Sequence, residues 1–256
     1  MRAGTRRVVV TGGGSGIGRA VALRLAEGGG SVVVVGRRAE RLAETAAQQP
    51  DRIRTLTCDL ASHDERADLL ARCEDLLGGL DGLVHAAGIA AHRAPGHIDE
   101  ASLRSTLEVD LVAPLRLGEQ ALEIIEPGGG VVFVSSTLAL RPMDTSAVYS
   151  AAKAGMDAAM KALALAGAAK RIRFNSVAPG LVDTEMIREL RLAPGEPEPS
   201  HRDERVREQV AALAGLAPLG RLGSPDEISE AIVQLLAAPW ITGAVHVVDG
   251  GLLLRG

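Results

Sequence analysis

Seven short apolar, β-branched runs punctuate the chain, at Arg7–Thr11, Ser31–Val35, Ile53–Thr57, Gly82–Ala86, Val131–Ser135, Arg173–Val177 and Val245–Val248. Between them lie longer segments of helical period. In the first of these, Ile17, Val21 and Leu25 recur one turn apart, and Gly28, Gly29 and Gly30 end the pattern. Strands that are apolar on both sides can be satisfied only where both faces of a sheet are covered. A helix after each strand makes the neighbouring strands parallel. The pattern predicts an α/β fold, a doubly wound parallel sheet of seven strands with helices on both faces. No internal repeat or linker interrupts the alternation, so residues 1–256 are expected to form one domain.

Composition excludes several classes. Apolar residues make up 46% of the chain, enough for a core without disulfide or metal staples. Cys58 and Cys73 stand apart, with no partner at metal-ligand spacing, and read as free thiols in a reducing compartment. The 28 basic residues are scattered among 32 acidic ones, which gives no polyanion-binding surface. Val8, Val9 and Val10 are too short a run for a secretion signal, and no stretch approaches a membrane span. These features predict a cytoplasmic protein without nucleic-acid or membrane partners and without a metal. Aromatic residues are scarce, so the core must be Val, Leu, Ile and Ala, and Tyr149 stands out as the lone tyrosine.

Between the first strand and first helix lies Thr11-Gly12-Gly13-Gly14-Ser15-Gly16-Ile17-Gly18. Glycines there permit a tight turn and let backbone N–H groups approach a pyrophosphate at the helix N-terminus. The spacing is T-G-x-x-x-G-x-G rather than G-x-G-x-x-G. By itself it fits a phosphate cradle or an ordinary glycine-rich turn. The second strand runs into Gly36, Arg37 and Arg38. An acid at this place would bind a ribose 2′-hydroxyl and favour NAD. Two guanidinium groups instead suit a 2′-phosphate and point to NADP, unless they only begin the solvated face of the next helix.

Tyr149 and Lys153 are four apart in an alanine-rich helical stretch, so phenol and ammonium share one helix face. A tyrosine that exchanges protons near neutrality needs its pKa lowered from about 10, and a neighbouring cation acts in that direction. Ser136 follows the fifth strand, where its hydroxyl could meet a substrate oxygen or simply cap a turn.

Taken together, the chain resembles the short-chain dehydrogenases/reductases along essentially its whole length. The matching segments are TGGGSGIG at 11–18, CDL at 58–60, HAAG at 85–88, VVFVSS at 131–136, YSAAK at 149–153, NSVAPGLVDT at 175–184, GRLGSPDEI at 220–228 and ITGAVHVVDGG at 241–251. The resemblance implies a Rossmann-like fold and hydride transfer between a nicotinamide dinucleotide and a carbonyl or secondary-alcohol substrate. In it, Tyr149 exchanges a proton with the substrate oxygen and Ser136 polarises the carbonyl. Lys153 holds the nicotinamide ribose and lowers the Tyr149 pKa. The cofactor would lie along Gly12, Ser15, Gly16, Ile17 and Gly18, with Asp59 and Leu60 at the adenine. His85, Ala87 and Gly88 would lie beneath the adenosine, and Pro179, Gly180, Val182 and Thr184 at the carboxamide end. A 3-oxoacyl-carrier-protein reductase is an alternative activity, served by Arg141, Arg188 and Arg191. A nucleotide-binding regulatory protein without turnover is an alternative of another class.

Two positions depart from the family pattern. His85-Ala86-Ala87-Gly88 stands where relatives have N-N-A-G, so both asparagines are missing. Asp110 occupies the place of the asparagine of the catalytic tetrad. Its backbone carbonyl survives the change, and activity is expected to survive with it. The added carboxylate should compete for the Lys153 ammonium and move the pH optimum upward. The charged stretch 185–217 around Pro194–Pro199 reads as a surface insertion or a substrate lid. The family's last strand, with the closing Leu252-Leu253-Leu254 run, points to subunit contacts and a homotetramer, with a dimer second.

Overall fold

The computed structural model describes residues 6–90, 92–93, 95–190 and 201–255. In the first half, β1 (Arg7–Thr11), α1 (Gly16–Glu27), β2 (Ser31–Gly36), α2 (Ala39–Ala46) and β3 (Ile53–Thr57) are followed by α3 (His63–Arg66), α4 (Leu69–Leu77) and β4 (Gly82–His85). The second half begins with α5 (Glu100–Leu107), a π-helical turn (Glu108–Val112), α6 (Ala113–Ile124), β5 (Gly130–Val134), α7 (Ala147–Ala168) and β6 (Arg173–Pro179). It ends with α8 (Glu185–Arg188), α9 (Arg202–Ala214), α10 (Pro225–Ala237) and β7 (Val245–Val248). All seven expected strands are present, displaced by at most two residues at an end. β6 runs on to Pro179, and β5 stops at Val134, which leaves Ser135 and Ser136 beyond the ladder.

The strands form one parallel sheet in the order β3-β2-β1-β4-β5-β6-β7. Period-two alternation divides their side chains between two cores. Val9, Val33, Leu83, Val131 and Phe133 face Leu69 and Leu70 of α4, Leu117 of α6 and Met156 and Met160 of α7. Val8, Val10, Val32, Val34, Val84 and Val132 face Val21 and Leu25 of α1, Leu42 of α2 and Ile228 and Ile232 of α10. Each such side chain contributes about 1.5–3 kcal/mol by leaving water. Two opposed cores explain why the strand sequences lack polar alternation.

The chain reverses direction across the sheet between β1 and β4, and the carboxyl ends of these strands open a cleft, as expected at a topological switch point. Two devices fix the far side. Ser224 and Glu227 form a capping box that starts α10. The buried Arg173 guanidinium donates to the carbonyls of Leu235, Leu236 and Ala238, tying the end of α10 to β6. Among the described residues, no helix is long and apolar enough to cross a membrane.

Candidate active site

The glycine loop is held by contacts that exclude larger residues. Gly12 and Gly16 have φ of +67° and +49°. A Cβ on Gly18 would lie 2.3 Å from the Gly12 carbonyl oxygen, and one on Gly12 would lie 2.8 Å from the Ala87 nitrogen. The loop is therefore pressed against both the start of α1 and the chain leaving β4. Thr11 Oγ1 accepts from the Ala87 N–H at 3.2 Å and lies 3.0 Å from His85 Nδ1.

Above the loop lies a cavity of about 1110 Å³. Of the expected site residues, Gly12, Ser15, Gly16, Ile17, Gly18, Arg37, Arg38, Asp59, Leu60, Ala87, Gly88, Ser136, Tyr149, Lys153, Pro179, Gly180, Val182 and Thr184 line it. His85 and Asp110 do not. His85 is fully buried beneath the cleft, edge-on to Phe133. Burial, and then the Lys153 charge, push its pKa down to about 3, although the Val109 carbonyl opposes them. The imidazole is thus a neutral brace between β1 and β4. His85, expected beneath the adenosine, thus reaches the cleft only through Thr11, whose Oγ1 also accepts from Ala87.

At the other end of the cleft, Ser136 accepts from the Leu138 N–H at 3.1 Å and starts the short turn Thr137–Ala139. Tyr149 and Lys153 lie one turn apart near the start of α7, both buried, with Lys153 Nζ 5.6 Å from the centre of the phenol ring. The ammonium donates to the Val134 carbonyl at 2.9 Å and forms an ion pair with Asp110 Oδ1 at 3.0 Å. Asp110 sits in the π-helical turn, and its other oxygen accepts from the Ile89 N–H at 3.2 Å. Only glycine fits at 88, because a Cβ there would lie 2.7 Å from Asp110 Oδ1. The turn is anchored in turn by Arg66, which binds Glu108 at 2.6 Å and also donates to the Leu60 carbonyl.

Charge in this cluster follows from burial and proximity. Burial raises the Asp110 carboxyl above its ordinary range, and the Lys153 ammonium opposes the shift. Burial pulls Lys153 down, but Asp110, Tyr149 and Asp157 together hold it above the ordinary lysine value. Burial likewise raises Tyr149. Lys153 and a hydrogen bond to Ser136 pull it back, while Asp110 pushes it further up. The phenol therefore carries its proton at neutral pH. Asp157, one turn beyond Lys153, accepts from Ser135 Oγ at 2.7 Å and places a second carboxylate behind the ammonium.

Two contributors to the cleft, Leu252 and Leu253, were not legible in the sequence. Leu252 and Leu253 line the cavity together with Leu138, Met143, Met186, Leu213 and Leu216. The C-terminal leucines were expected at a subunit contact; here only Leu254 stays exposed. Arg141 also lines the cavity and donates to the Arg255 carbonyl. Arg188 is held by Asp183 through two contacts at 2.7 and 2.8 Å, and Arg191 lies outside the described residues. Of the segment 185–217, α8 and α9 are described and 191–200 are not. Gln209 of α9 donates to the carbonyls of Ile187 and Glu189.

These residues fit a nicotinamide dinucleotide. The glycine loop would be blocked by any Cβ, guanidinium groups stand at one end, and a buried ammonium beside a phenol stands at the other. A family model described as enoyl-(acyl carrier protein) reductase matches residues 12–253. This chain belongs to the short-chain dehydrogenase/reductase family. It is 38% identical to cis-4-hydroxycyclohexanecarboxylate dehydrogenase of Sinomonas cyclohexanicum, with 96% of each chain covered. It is 34% identical to the human 3-oxoacyl-[acyl-carrier-protein] reductase, over 96% of this chain and 97% of that one. The ligand-free aldohexose dehydrogenase of Thermoplasma acidophilum shares the fold, with a TM-score of 0.86 at 24% identity, covering 99% of this chain and 96% of the other. The chain is thus an NAD(P)-dependent oxidoreductase of the short-chain type that acts on CH–OH groups.

Proposed function

We propose that this protein is an NADP-preferring ketone reductase and secondary-alcohol dehydrogenase in which Tyr149 is the general acid/base. The observation that carries the reading is the convergence of Ser136, Tyr149 and Lys153 on the wall of a cleft whose other end is the glycine loop. A bound nicotinamide dinucleotide supplies the hydride donor or acceptor. In reduction, Ser136 Oγ–H hydrogen-bonds the carbonyl oxygen and Tyr149 Oη donates its proton to that oxygen as negative charge develops there. In oxidation, Tyr149 accepts the alcohol proton. Lys153 would hold the nicotinamide ribose, and its charge favours the Tyr149 phenolate. Asp110 acts through Lys153: it keeps the ammonium in place at the expense of its pull on the phenol, and activity is retained. Gly36, Arg37 and Arg38 support NADP over NAD.

The apolar wall of Leu138, Leu213, Leu216, Leu252 and Leu253 with Arg141 beside it supports an alicyclic or aliphatic substrate bearing a carboxylate. The substrate named for the relative from Sinomonas, a hydroxycyclohexanecarboxylate, has the same chemistry. A carrier-protein reductase is the second reading, supported by the human relative's name. It has less support from the entrance charge, because Arg188 is paired with Asp183. The stretch 185–217 is read as the substrate lid. The exposed Leu165, Trp240 and Val247 support a homotetramer, to be checked by light scattering on the eluting protein.

The test is NADPH consumption against a panel of cyclic ketones, oxo-carboxylates and carrier-protein-linked oxoacyl chains. Turnover that Tyr149→Phe abolishes supports the assignment. Tight NADPH binding with no turnover across the panel and the pH range would turn the reading to a regulatory protein.

A further inference from the structure

Glu185 is the first residue of α8, directly after Thr184, at the root of the segment 185–217. Its carboxylate reaches across the mouth of the cleft. Oε2 lies 3.3 Å from Arg38 Nη1, and Oε1 lies 3.5 Å from Arg41 Nη2. Arg38 also donates through Nη2 to Ser15 Oγ of the glycine loop at 3.2 Å. Each carboxylate oxygen thus faces a different guanidinium. Loop and helix are close here: a Cβ on Gly16 would come within 3.2 Å of Thr184 Cγ2. Arg37 lines the same wall with no ion-pair partner among the described residues. Arg41 has a second partner in Glu44 at 3.2 Å, so it does not need Glu185 for compensation.

The side chains in this bridge are between 41 and 57% exposed, and pairs of that kind add little to stability. Folding therefore gives no reason for the bridge. What it does is place one carboxylate among guanidiniums that a phosphate dianion would fill better, having more charge and more acceptor oxygens.

We infer that Glu185 is a specificity-determining residue that competes with the 2′-phosphate of NADP for Arg38 and Arg41. The inference rests on the cofactor reading above. A dinucleotide without the phosphate leaves both ion pairs intact. One that carries it must break them and so detach α8 from the arginines. Glu185 therefore weakens NADP binding and leaves NAD binding alone, holding the preference between the two cofactors below what the arginines alone would give.

The experiment measures binding of adenosine 2′,5′-bisphosphate, 5′-AMP, NADPH and NADH by calorimetry to the wild type and Glu185→Gln. The variant should bind the bisphosphate and NADPH about threefold to fivefold more tightly, the size expected of exposed pairs, with 5′-AMP and NADH unchanged. In an Arg38→Gln/Arg41→Gln background the same substitution should have no effect. Unchanged or weaker bisphosphate binding overturns the inference, as does an equal gain for all four ligands. The wild type's own NADPH-to-NADH ratio tests the cofactor reading separately. If NADH binds better, that reading fails, while a gain in bisphosphate affinity in Glu185→Gln still upholds the competition.

Discussion

At the arginine end of the cleft, Arg38 and Glu185 keep 57% and 53% of their side chains in water, whereas at the Tyr149 end Lys153 and Asp110 keep 3% and none. The two pairs have similar lengths and opposite physics. The outer pair is screened and can exchange its carboxylate for another anion at little cost. The inner pair has no water to turn to. Breaking it from one side strands a charge, and the pair's field acts on Tyr149 with little screening. One end of the cleft can thus be retuned by single surface substitutions, while at the other each substitution changes stability and chemistry together.

The largest expected effect lies at the inner end. Tyr149→Phe should lower kcat by about a hundredfold to ten-thousandfold, the range for loss of a general acid, with cofactor affinity nearly unchanged in a titration of the same variant. Lys153→Met leaves the Asp110 carboxylate buried without its counter-ion. It should lose about 3–5 kcal/mol of unfolding free energy in denaturant titrations. Adding Asp110→Leu to it should recover most of that stability and none of the turnover. Recovery of turnover would show that Lys153 serves packing rather than chemistry.

Asp110→Asn sharpens the comparison through pH. Asp110 pushes the Tyr149 pKa up and removal of its charge lets the pKa fall. Oxidation needs the deprotonated phenol, so its rate should rise with pH and the rising limb should shift to lower pH in the variant. An unshifted limb would mean that the carboxylate does not reach the phenol. If the wild type is inert at every pH while the asparagine variant turns over, Asp110 is disabling rather than tuning. At the outer end, NADPH affinity should fall more steeply than NADH affinity as salt rises, because only the phosphate meets screened guanidiniums. The smallest effect is remote from the cleft. Ser224→Ala removes one half of the α10 capping box and should cost about 1 kcal/mol in thermal unfolding, with kcat unaltered.

Strands and core were legible because a residue buried on both faces of a sheet needs only to be apolar, and Val8–Val10, Val32–Val35 and Val131–Val134 say so locally. The glycine loop was readable for a related reason, since backbone crowding at Gly12 and Gly18 tolerates no side chain. His85 lies beneath the cleft and not on its wall. A strand-end histidine looks the same whether its ring points up into the cleft or down onto Phe133, and only packing separates the two. The π-helical turn was invisible because Glu108–Val112 has ordinary helical composition, and its ion-pair partners Arg66 and Lys153 come from distant segments. Leu252 and Leu253 were apolar in search of a partner, and the sequence could not say whether that partner was a second subunit or the cleft.

The sequence by itself determined a doubly wound parallel sheet, the position of the glycine loop after β1, and the gathering of Ser136, Tyr149 and Lys153 along one cleft. Each depends on local periodicity or on residue types whose chemistry has few substitutes. The Asp110–Lys153 pairing was anticipated from the resemblance, and the structure gives it a length of 3.0 Å; tertiary structure alone decided that Asp157 stands behind Lys153 and that Glu185 bridges Arg38 and Arg41. Those pairs join residues 43 and 147 positions apart for Lys153–Asp110 and Glu185–Arg38. Coulomb interactions depend on distance through space and on the water between, and neither quantity is written along the chain.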